Sequence, residues 1–181
     1  MLLHQVTSFL LDVLAGLLSG ACLLRLVMQA RRIPFGNPVG RLVLALTDWL
    51  VLPLRRMVPA IGRWDSASAV AAYLIALLQV TLLWLLWPGV MAGLLPVLAL
   101  LVLARLAVSA LIVLILVYVV LSWVRADSPV HDLLARLVEP LLRPVRRVLP
   151  LIGGIDLSPL VVLVLLQVLA MVLGHSPLWL R

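Results

Sequence analysis

The sequence predicts an all-α, polytopic membrane protein in which four transmembrane helices form two parallel span–loop–span repeats. Three observations support this fold class: the composition, four long apolar segments, and a motif that occurs twice. Of the 181 residues, 65% are hydrophobic and only 12% are charged, against about 25% charged residues in soluble domains. A chain of this size buries only roughly 70% of the surface that unfolding exposes. Lipid must therefore be its solvent, which excludes a soluble enzyme, a DNA-binding domain and a disordered tail.

Each apolar segment is long enough to cross a bilayer, which takes about 20 mostly apolar residues. The predicted spans are residues 6–28, 69–87, 97–123 and 157–174. The first span begins without basic residues and is interrupted by Asp12. A signal peptide has a basic start and an uninterrupted apolar stretch, so we expect this segment to be retained as a helix.

The charged residues predict how the chain is oriented. All 14 basic residues are arginine, and most of them lie in two loops, at residues 31–63 and 125–147. Positively charged loops stay on the cytoplasmic side of a membrane. We therefore expect both arginine-rich loops to be cytoplasmic and both termini to lie on the outer side.

The two loops contain copies of one motif, because residues 53–65 align without gaps on residues 144–156. Seven of the 13 positions are identical. The identical residues are Pro53, Arg55, Arg56, Pro59, Ile61, Gly62 and Asp65 in the first copy and Pro144, Arg146, Arg147, Pro150, Ile152, Gly153 and Asp156 in the second. The offset of 91 residues predicts two repeats, at 1–90 and 91–181. Each repeat crosses the membrane twice, so the repeats are parallel.

The motif resembles that of the YggT family of small integral membrane proteins. In the first copy, Arg25 and Gln29 precede Asn37-Pro38 and then the Pro-x-Arg-Arg-x-x-Pro-x-x-Gly-x-x-Asp segment. The second copy has Ser128-Pro129 in place of Asn-Pro and no arginine at the position of Arg25. The resemblance implies a two-repeat bacterial inner-membrane protein, similar to a chloroplast factor that matures cytochrome b6. It also implies a loose association with cell-division gene neighbourhoods and osmotic-stress tolerance, and it brings no enzymatic activity.

Both loops are amphipathic rather than simply polar. Asp132, Arg136, Glu139 and Arg143 recur along one face of a helix and leucines fill most of the rest, a pattern typical of a helix at a membrane surface. We expect such segments to lie in the interface or to enter the bilayer as re-entrant pieces. Internal prolines are expected to break the second loop into two short helices.

The paired arginines between prolines form a stiff cationic corner in each loop. In one interpretation Arg55, Arg56, Arg146 and Arg147 bind anionic lipid headgroups, at about 1 kcal/mol per charge, or bind a membrane-protein partner. In the other they only enforce topology and pair with nearby acids. Those acids are Asp48, Asp65, Glu139 and Asp156. Asp65 and Ser158 are also expected to cap the helices that follow, with Gly62 and Gly153 in the turns before them.

Two ionisable residues lie deep in the predicted spans. Asp12 and Arg105 are each about two helical turns, roughly 10–12 Å, below the outer surface. We predict that they form an ion pair joining the repeats, with a proton or ion pathway as the functional alternative. Arg25 lies near the inner end of its span, where its side chain is expected to snorkel to the interface.

No catalytic or metal-binding constellation is readable. His4, His131 and His175 are scattered, and Cys22 is the only cysteine, so we predict no metal, no cofactor, no nucleic-acid partner and no enzymatic activity. The predicted function is a non-enzymatic assembly, scaffold or osmotic and envelope stress-tolerance factor that acts on membrane lipids or on another membrane protein. The alternative is a small oligomeric channel or transporter for ions or osmolytes.

Overall fold

The computed structural model describes residues 2–59, 62, 64–87, 91–124, 129–149 and 156–174. Within these ranges the chain forms six α-helices and no β-strand, so the all-α class is confirmed. The helices are α1 (Leu2–Ala30), α2 (Pro38–Met57), α3 (Ser66–Leu86), α4 (Leu95–Val124), α5 (Pro129–Arg146) and α6 (Ser158–Gly174), with a short 3-10 turn at Ala92–Leu94 before α4.

Within the residues that the structure describes, three helical segments are long and apolar enough to cross a membrane. They are Gln5–Ala30, Ser66–Leu86 and Ala92–Ser122, and each agrees with a predicted span to within a few residues. The fourth predicted span corresponds to α6, which is apolar but has 17 residues. At 1.5 Å per residue α6 rises about 25 Å, just short of a typical hydrocarbon core. A fourth crossing therefore stays a prediction.

The chain divides into two compact units, and the first contains the described residues up to Ala107. Helices α1, α2 and α3 all contact one another in this unit. Their shared core is built largely from small side chains: Cys22, Val51, Ala67, Ala71 and Ala72. Small residues let helix backbones approach closely in a membrane, and Ser19 Oγ donates to the carbonyl of Ala72 at 3.3 Å across this contact.

The Asn-Pro pair of the motif starts α2. Asn37 Oδ1 accepts a hydrogen bond from the N–H of Gly40 at 2.7 Å, and Pro38 occupies the first turn, where no N–H is needed. A Cβ atom at Gly40 would lie 2.6 Å from the Cα of Phe35. This turn therefore requires glycine at position 40.

The second unit comprises Val108–Gly174. Side chains of α4, α5 and α6 form its core: Val108, Ile115, Val138, Leu142, Val162 and Leu166. The ring of Tyr118 on α4 stacks on that of His131 on α5, with 5.6 Å between ring centroids. The predicted boundary between repeats at residues 90 and 91 stays a prediction.

Helix α5 is continuous, so its predicted division into two short helices is wrong. Pro140 and Pro144 both lie inside it. Each removes a backbone hydrogen bond, but Leu133, Leu137 and Leu142 are buried on both sides of Pro140 and hold the helix to the core. The opposite side of α5 is exposed: Asp132, Arg136, Glu139 and Arg143.

Candidate functional site

Arg25 is buried among polar partners at the inner end of α1. Its side chain is 3% exposed. One guanidinium nitrogen, Nη1, donates to Asp48 Oδ1 at 2.7 Å and to Thr47 Oγ1 at 2.6 Å, both on α2. The expected snorkelling of Arg25 is wrong because α2 supplies its acceptors inside the protein.

Asp65 is the second buried charge and lies between two arginines. Its carboxylate is 1% exposed and accepts from Arg55 Nη2 at 2.5 Å and from Ser68 Oγ at 2.6 Å. Arg25 Nε lies 3.8 Å from Asp65 Oδ2. Asp65 precedes α3 but makes no side-chain hydrogen bond to the backbone of its first turn. Its expected capping role is wrong, since Arg55 and Ser68 occupy the carboxylate.

Gln29 completes this group, because its Oε1 accepts from Arg55 Nη2 at 2.8 Å. Gln29 follows Arg25 by four residues, so both side chains lie on one face of α1. We call Arg25, Gln29, Asp48, Arg55 and Asp65 the Arg25–Asp65 cluster. It joins α1 and α2 to the start of α3, and its two arginines balance its two carboxylates.

The turn between Arg55 and Asp65 contains the glycine that the motif predicts. Gly62 has φ +63°, the left-handed region that favours glycine, in agreement with the expected tight turn. Beside it, Ser66 Oγ donates to the carbonyl of Pro59 at 2.5 Å. These contacts fold the loop so that residues ten positions apart can meet.

The environment of Asp65 lowers its pKa. Burial raises the pKa of the carboxyl, but hydrogen bonds from Arg55 and Ser68 and the charges of Arg55 and Arg25 outweigh burial and hold the pKa below its ordinary value. Asp65 is therefore a carboxylate at neutral pH, as two neighbouring guanidinium groups require.

This depressed pKa predicts a loss of stability in acid. The carboxyl of an unfolded aspartate has a pKa of about 3.9. Below about pH 5 this carboxyl therefore begins to bind protons in the unfolded state, whereas the carboxyl of folded Asp65, whose pKa is lower, stays ionised. The contribution of Asp65 is complete above about pH 5 and falls as the pH drops towards the folded pKa. We expect the unfolding free energy in detergent to decrease from pH 6 to pH 3. We expect a shallower decrease for Asp65→Asn, and equal slopes would contradict this role.

The second copy forms a smaller and more open group. Arg146 Nη1 lies 2.8 Å from Glu139 Oε2, and Arg146 Nη2 lies 2.8 Å from Asp156 Oδ2. Their side chains are 34%, 54% and 30% exposed for Arg146, Glu139 and Asp156. At the position that matches Arg25 the sequence has Leu116. The second group therefore lacks the buried arginine, and water reaches it.

Asp156 also has a lowered pKa. Burial raises the pKa of this carboxyl, but hydrogen bonding by Ser158 and the ion pair with Arg146 together hold the pKa below its ordinary value. The N–H of Ser158, the first residue of α6, donates to Asp156 Oδ1 at 2.9 Å. In this copy the carboxylate of Asp156 thus caps the helix, rather than the hydroxyl of Ser158 as expected.

The two arginines of each pair have different environments in both copies of the motif. The first of each pair, Arg55 or Arg146, is held by a carboxylate, whereas Arg56 and Arg147 are exposed and form no ion pair among the described residues. Of the other motif residues, Pro53 lies inside α2, Pro59 follows α2 and Pro144 lies inside α5, while Pro150 and Gly153 lie outside the described residues.

Asp12 has a different partner from the one predicted. Its Oδ1 accepts from Gln79 Nε2 of α3 at 2.6 Å. No ion pair joins Asp12 to Arg105 within the described chain, so the predicted contact is not formed in this structure. Helix α3 packs along α1 and brings the Gln79 amide to the carboxylate. Both Asp12 and Arg105 are exposed on the surface of the first unit.

Three residues that contribute to these contacts were not predicted from the sequence: Thr47, Ser68 and Gln79. Gln79 had a readable signal, since it is a lone amide inside an apolar span. Ser68 follows Asp65 by three residues, a spacing that brings two side chains together on a helix. In the ranges that the structure describes, no group of three or more His, Cys, Asp or Glu residues could hold a metal ion.

Comparison with known proteins identifies the family. The sequence profile of the CCB3/YggT family matches residues 4–86 and 97–177. The chain is 38% identical over 172 residues to a protein named YggT from Escherichia coli strain K12, covering 91% of this chain and 87% of that one. It is 33% identical to a protein encoded in the proC 3′ region of Vibrio alginolyticus, covering 95% and 96% of the two chains. No solved structure matches the chain. The chain belongs to the CCB3/YggT family.

Proposed function

We propose that this chain is a four-span protein of the bacterial inner membrane, built from two parallel repeats. Its arginine-rich loops face the cytoplasm, with α2 and α5 at the membrane interface, and both termini lie outside. The three long apolar segments, the apolar composition of α6 and the concentration of arginine in two loops support this topology. A reporter fused to the carboxyl terminus tests it. We expect a reporter that is active only in the periplasm to be active at this position. Activity of a reporter that works only in the cytoplasm would overturn the assignment.

We further propose that the protein has no enzymatic activity and acts as an assembly, scaffold or osmotic and envelope stress-tolerance factor. It binds anionic lipid headgroups or a membrane-protein partner through Arg56 and Arg147. The observation that carries this proposal is the difference in environment between the two arginines of each pair. The carboxylates of Asp65 and Asp156 hold Arg55 and Arg146, and the second arginine of each pair is exposed.

The ion pairs give the exposed arginines a fixed setting. Each joins residues ten positions apart, Arg55 to Asp65 and Arg146 to Asp156, and so fixes the backbone next to the second arginine. An exposed guanidinium presents planar donors that match the oxygens of a phosphate. Two such groups at headgroup level provide about 1 kcal/mol each for an anionic surface.

The double variant Arg56→Ala/Arg147→Ala tests this function. We expect roughly thirtyfold weaker binding of phosphatidylglycerol to the purified protein by native mass spectrometry, because two charges contribute about 2 kcal/mol. We also expect loss of any partner captured by cross-linking in native membranes. Arg41→Ala/Arg136→Ala is the matched control, since it removes two exposed arginines outside the corners. If both double variants lose the same affinity, the corners have no special role.

A small oligomeric channel or transporter is the second candidate. The hydrogen bond between Asp12 and Gln79 supports it, because it places polar groups of two spans together. Ion or osmolyte flux in proteoliposomes that is abolished by Asp12→Asn would favour this function. Full flux in Asp12→Asn, or no flux in the unmodified protein, would exclude a pathway through Asp12.

A further inference from the structure

We propose that two copies of this chain associate in the membrane through reciprocal ion pairs, with Asp12 of each copy bound to Arg105 of the other. Asp12 lies in the apolar segment Gln5–Ala30 and Arg105 in Ala92–Ser122. Both side chains are exposed in the isolated chain. In the described residues they form no ion pair with each other, and the single amide contact from Gln79 leaves the second oxygen of Asp12 available.

Lipid makes this arrangement unfavourable for a single copy. Ionisable side chains in a membrane span nearly always face a protein neighbour or a water-filled cavity. Here an acid and a base both face outwards from helices that cross the hydrocarbon layer. A surface that carries one charge of each sign is complementary to itself, so a second copy is the occupant that its charge pattern specifies.

The depths of the two charges agree. With the 91-residue offset between repeats, Arg105 corresponds to Leu14, two residues further along the span than Asp12. Two helical residues rise about 3 Å, which an arginine side chain can reach across. This step rests on the parallel topology under the proposed function, in which α1 and α4 run in the same direction, and it does not depend on lipid binding by the loops.

The helix surface beside Asp12 is open at Gly20 and packs on the chain's own α4 at Gly16. Gly16 and Gly20 follow Asp12 at intervals of four residues, so all three lie on one face of α1. A Cβ atom at Gly20 would meet no atom within 4 Å, and one at Gly16 would lie 3.7 Å from Leu106 Cδ1 of α4. Helices α1 and α4 therefore meet next to Arg105, so both charges lie beside one seam.

Two-fold symmetry completes the proposal. In an isologous dimer the same patch is used by both copies. An axis along the membrane normal keeps every residue at its own depth. When the α1–α4 seam of one copy meets that of the other, two identical ion pairs form. The resulting dimer is closed and pairs both charges of each copy.

Cross-linking between two differently tagged copies tests the contact. In a Cys22→Ala background, one copy carries Asp12→Cys and the other Arg105→Cys. They are treated in native membranes with a bifunctional thiol reagent, because an aspartate–arginine pair holds its Cβ atoms further apart than a disulfide allows. The control replaces Asp12→Cys by Val13→Cys, the next residue on α1, which is also exposed. We expect at least fivefold more mixed product at position 12, and equal yields would overturn the proposal.

Charge reversal is the second test. Copies with Asp12→Arg alone, or with Arg105→Asp alone, place like charges opposite each other. Mixing the two variants restores both ion pairs. We expect at least tenfold more co-capture of the mixed variants than of either variant with itself, and equal co-capture would overturn the contact. The variant Arg56→Ala/Arg147→Ala, which is expected to bind lipid weakly, is expected to form the cross-linked dimer normally. The proposal for lipid binding by the loops and the proposal for the dimer can therefore fail independently of each other.

Discussion

Replacing Asp65 with asparagine is expected to lower the unfolding free energy of the protein by about 3–5 kcal/mol, the loss typical of removing one partner from a buried ion pair. Asp65 is 1% exposed and is the carboxylate that Arg55 and Arg25 share. Without it, Asp48 is the one acidic partner of buried Arg25 that remains among the described residues, and Arg55 loses its ion pair. Unfolding in mixed detergent and sodium dodecyl sulfate micelles, followed by tryptophan fluorescence, measures the change.

The second copy of the motif supplies a matched control. Asp156→Asn removes the equivalent carboxylate, but the side chains of Asp156 and Arg146 are 30% and 34% exposed. Arg146 keeps its ion pair with Glu139 and is accessible to water. We therefore expect the unfolding free energy to fall by about 1 kcal/mol or less. Equal losses for the two variants would show that burial of the first cluster does not determine its contribution.

Arg25→Leu is expected to have the second largest effect, a loss of about 1.5–3 kcal/mol, as for charged hydrogen bonds. The substitution places at position 25 the residue that Leu116 provides at the matching position, 91 residues later. Asp65 keeps Arg55 as its partner, so the loss is smaller than for Asp65→Asn. Thr47 and Asp48 lose the guanidinium that joins α1 to α2. The same micelle unfolding experiment measures this change.

An exposed arginine on α2 is the control for this substitution. Arg41→Leu removes the same charge from a surface position and is expected to change stability by less than about 0.5 kcal/mol. The double variant Arg25→Leu/Asp65→Asn is expected to lose less than the sum of the two single variants, because both residues belong to one ion-pair network. Additive losses would separate Arg25 from the cluster.

The long helices were predictable because their signal is local. Apolar segments of sufficient length predict spans directly, and the ends of α1, α3 and α4 lie within a few residues of those expected. The continuity of α5 was not predictable, because it depends on packing on α4 and α6 that no local pattern encodes. The prolines predict breaks, but the packing of buried leucines keeps the helix continuous.

The candidate site was predictable only in part. Its motif residues stand out by repetition, so Arg55, Asp65 and their counterparts can be identified from the sequence. The environment of Arg25 was missed because its distance from the helix end favours snorkelling. The face of α1 that meets α2 cannot be read from a helix that is apolar all round. The contact of Asp12 with Gln79 was missed for the same reason.

The Arg25–Asp65 cluster also sets an order of events during biosynthesis. Its members come from α1, α2 and the residue before α3, and Arg25 is synthesised 40 residues before Asp65. At about 5–20 residues per second, the arginine precedes the carboxylate by roughly 2–8 s. Asp48 follows Arg25 by 23 residues, so for roughly the first 1–5 s the guanidinium has neither carboxylate, and until the end of the interval it lacks Asp65. The full set of contacts around Arg25 can therefore form only once the start of α3 has been synthesised.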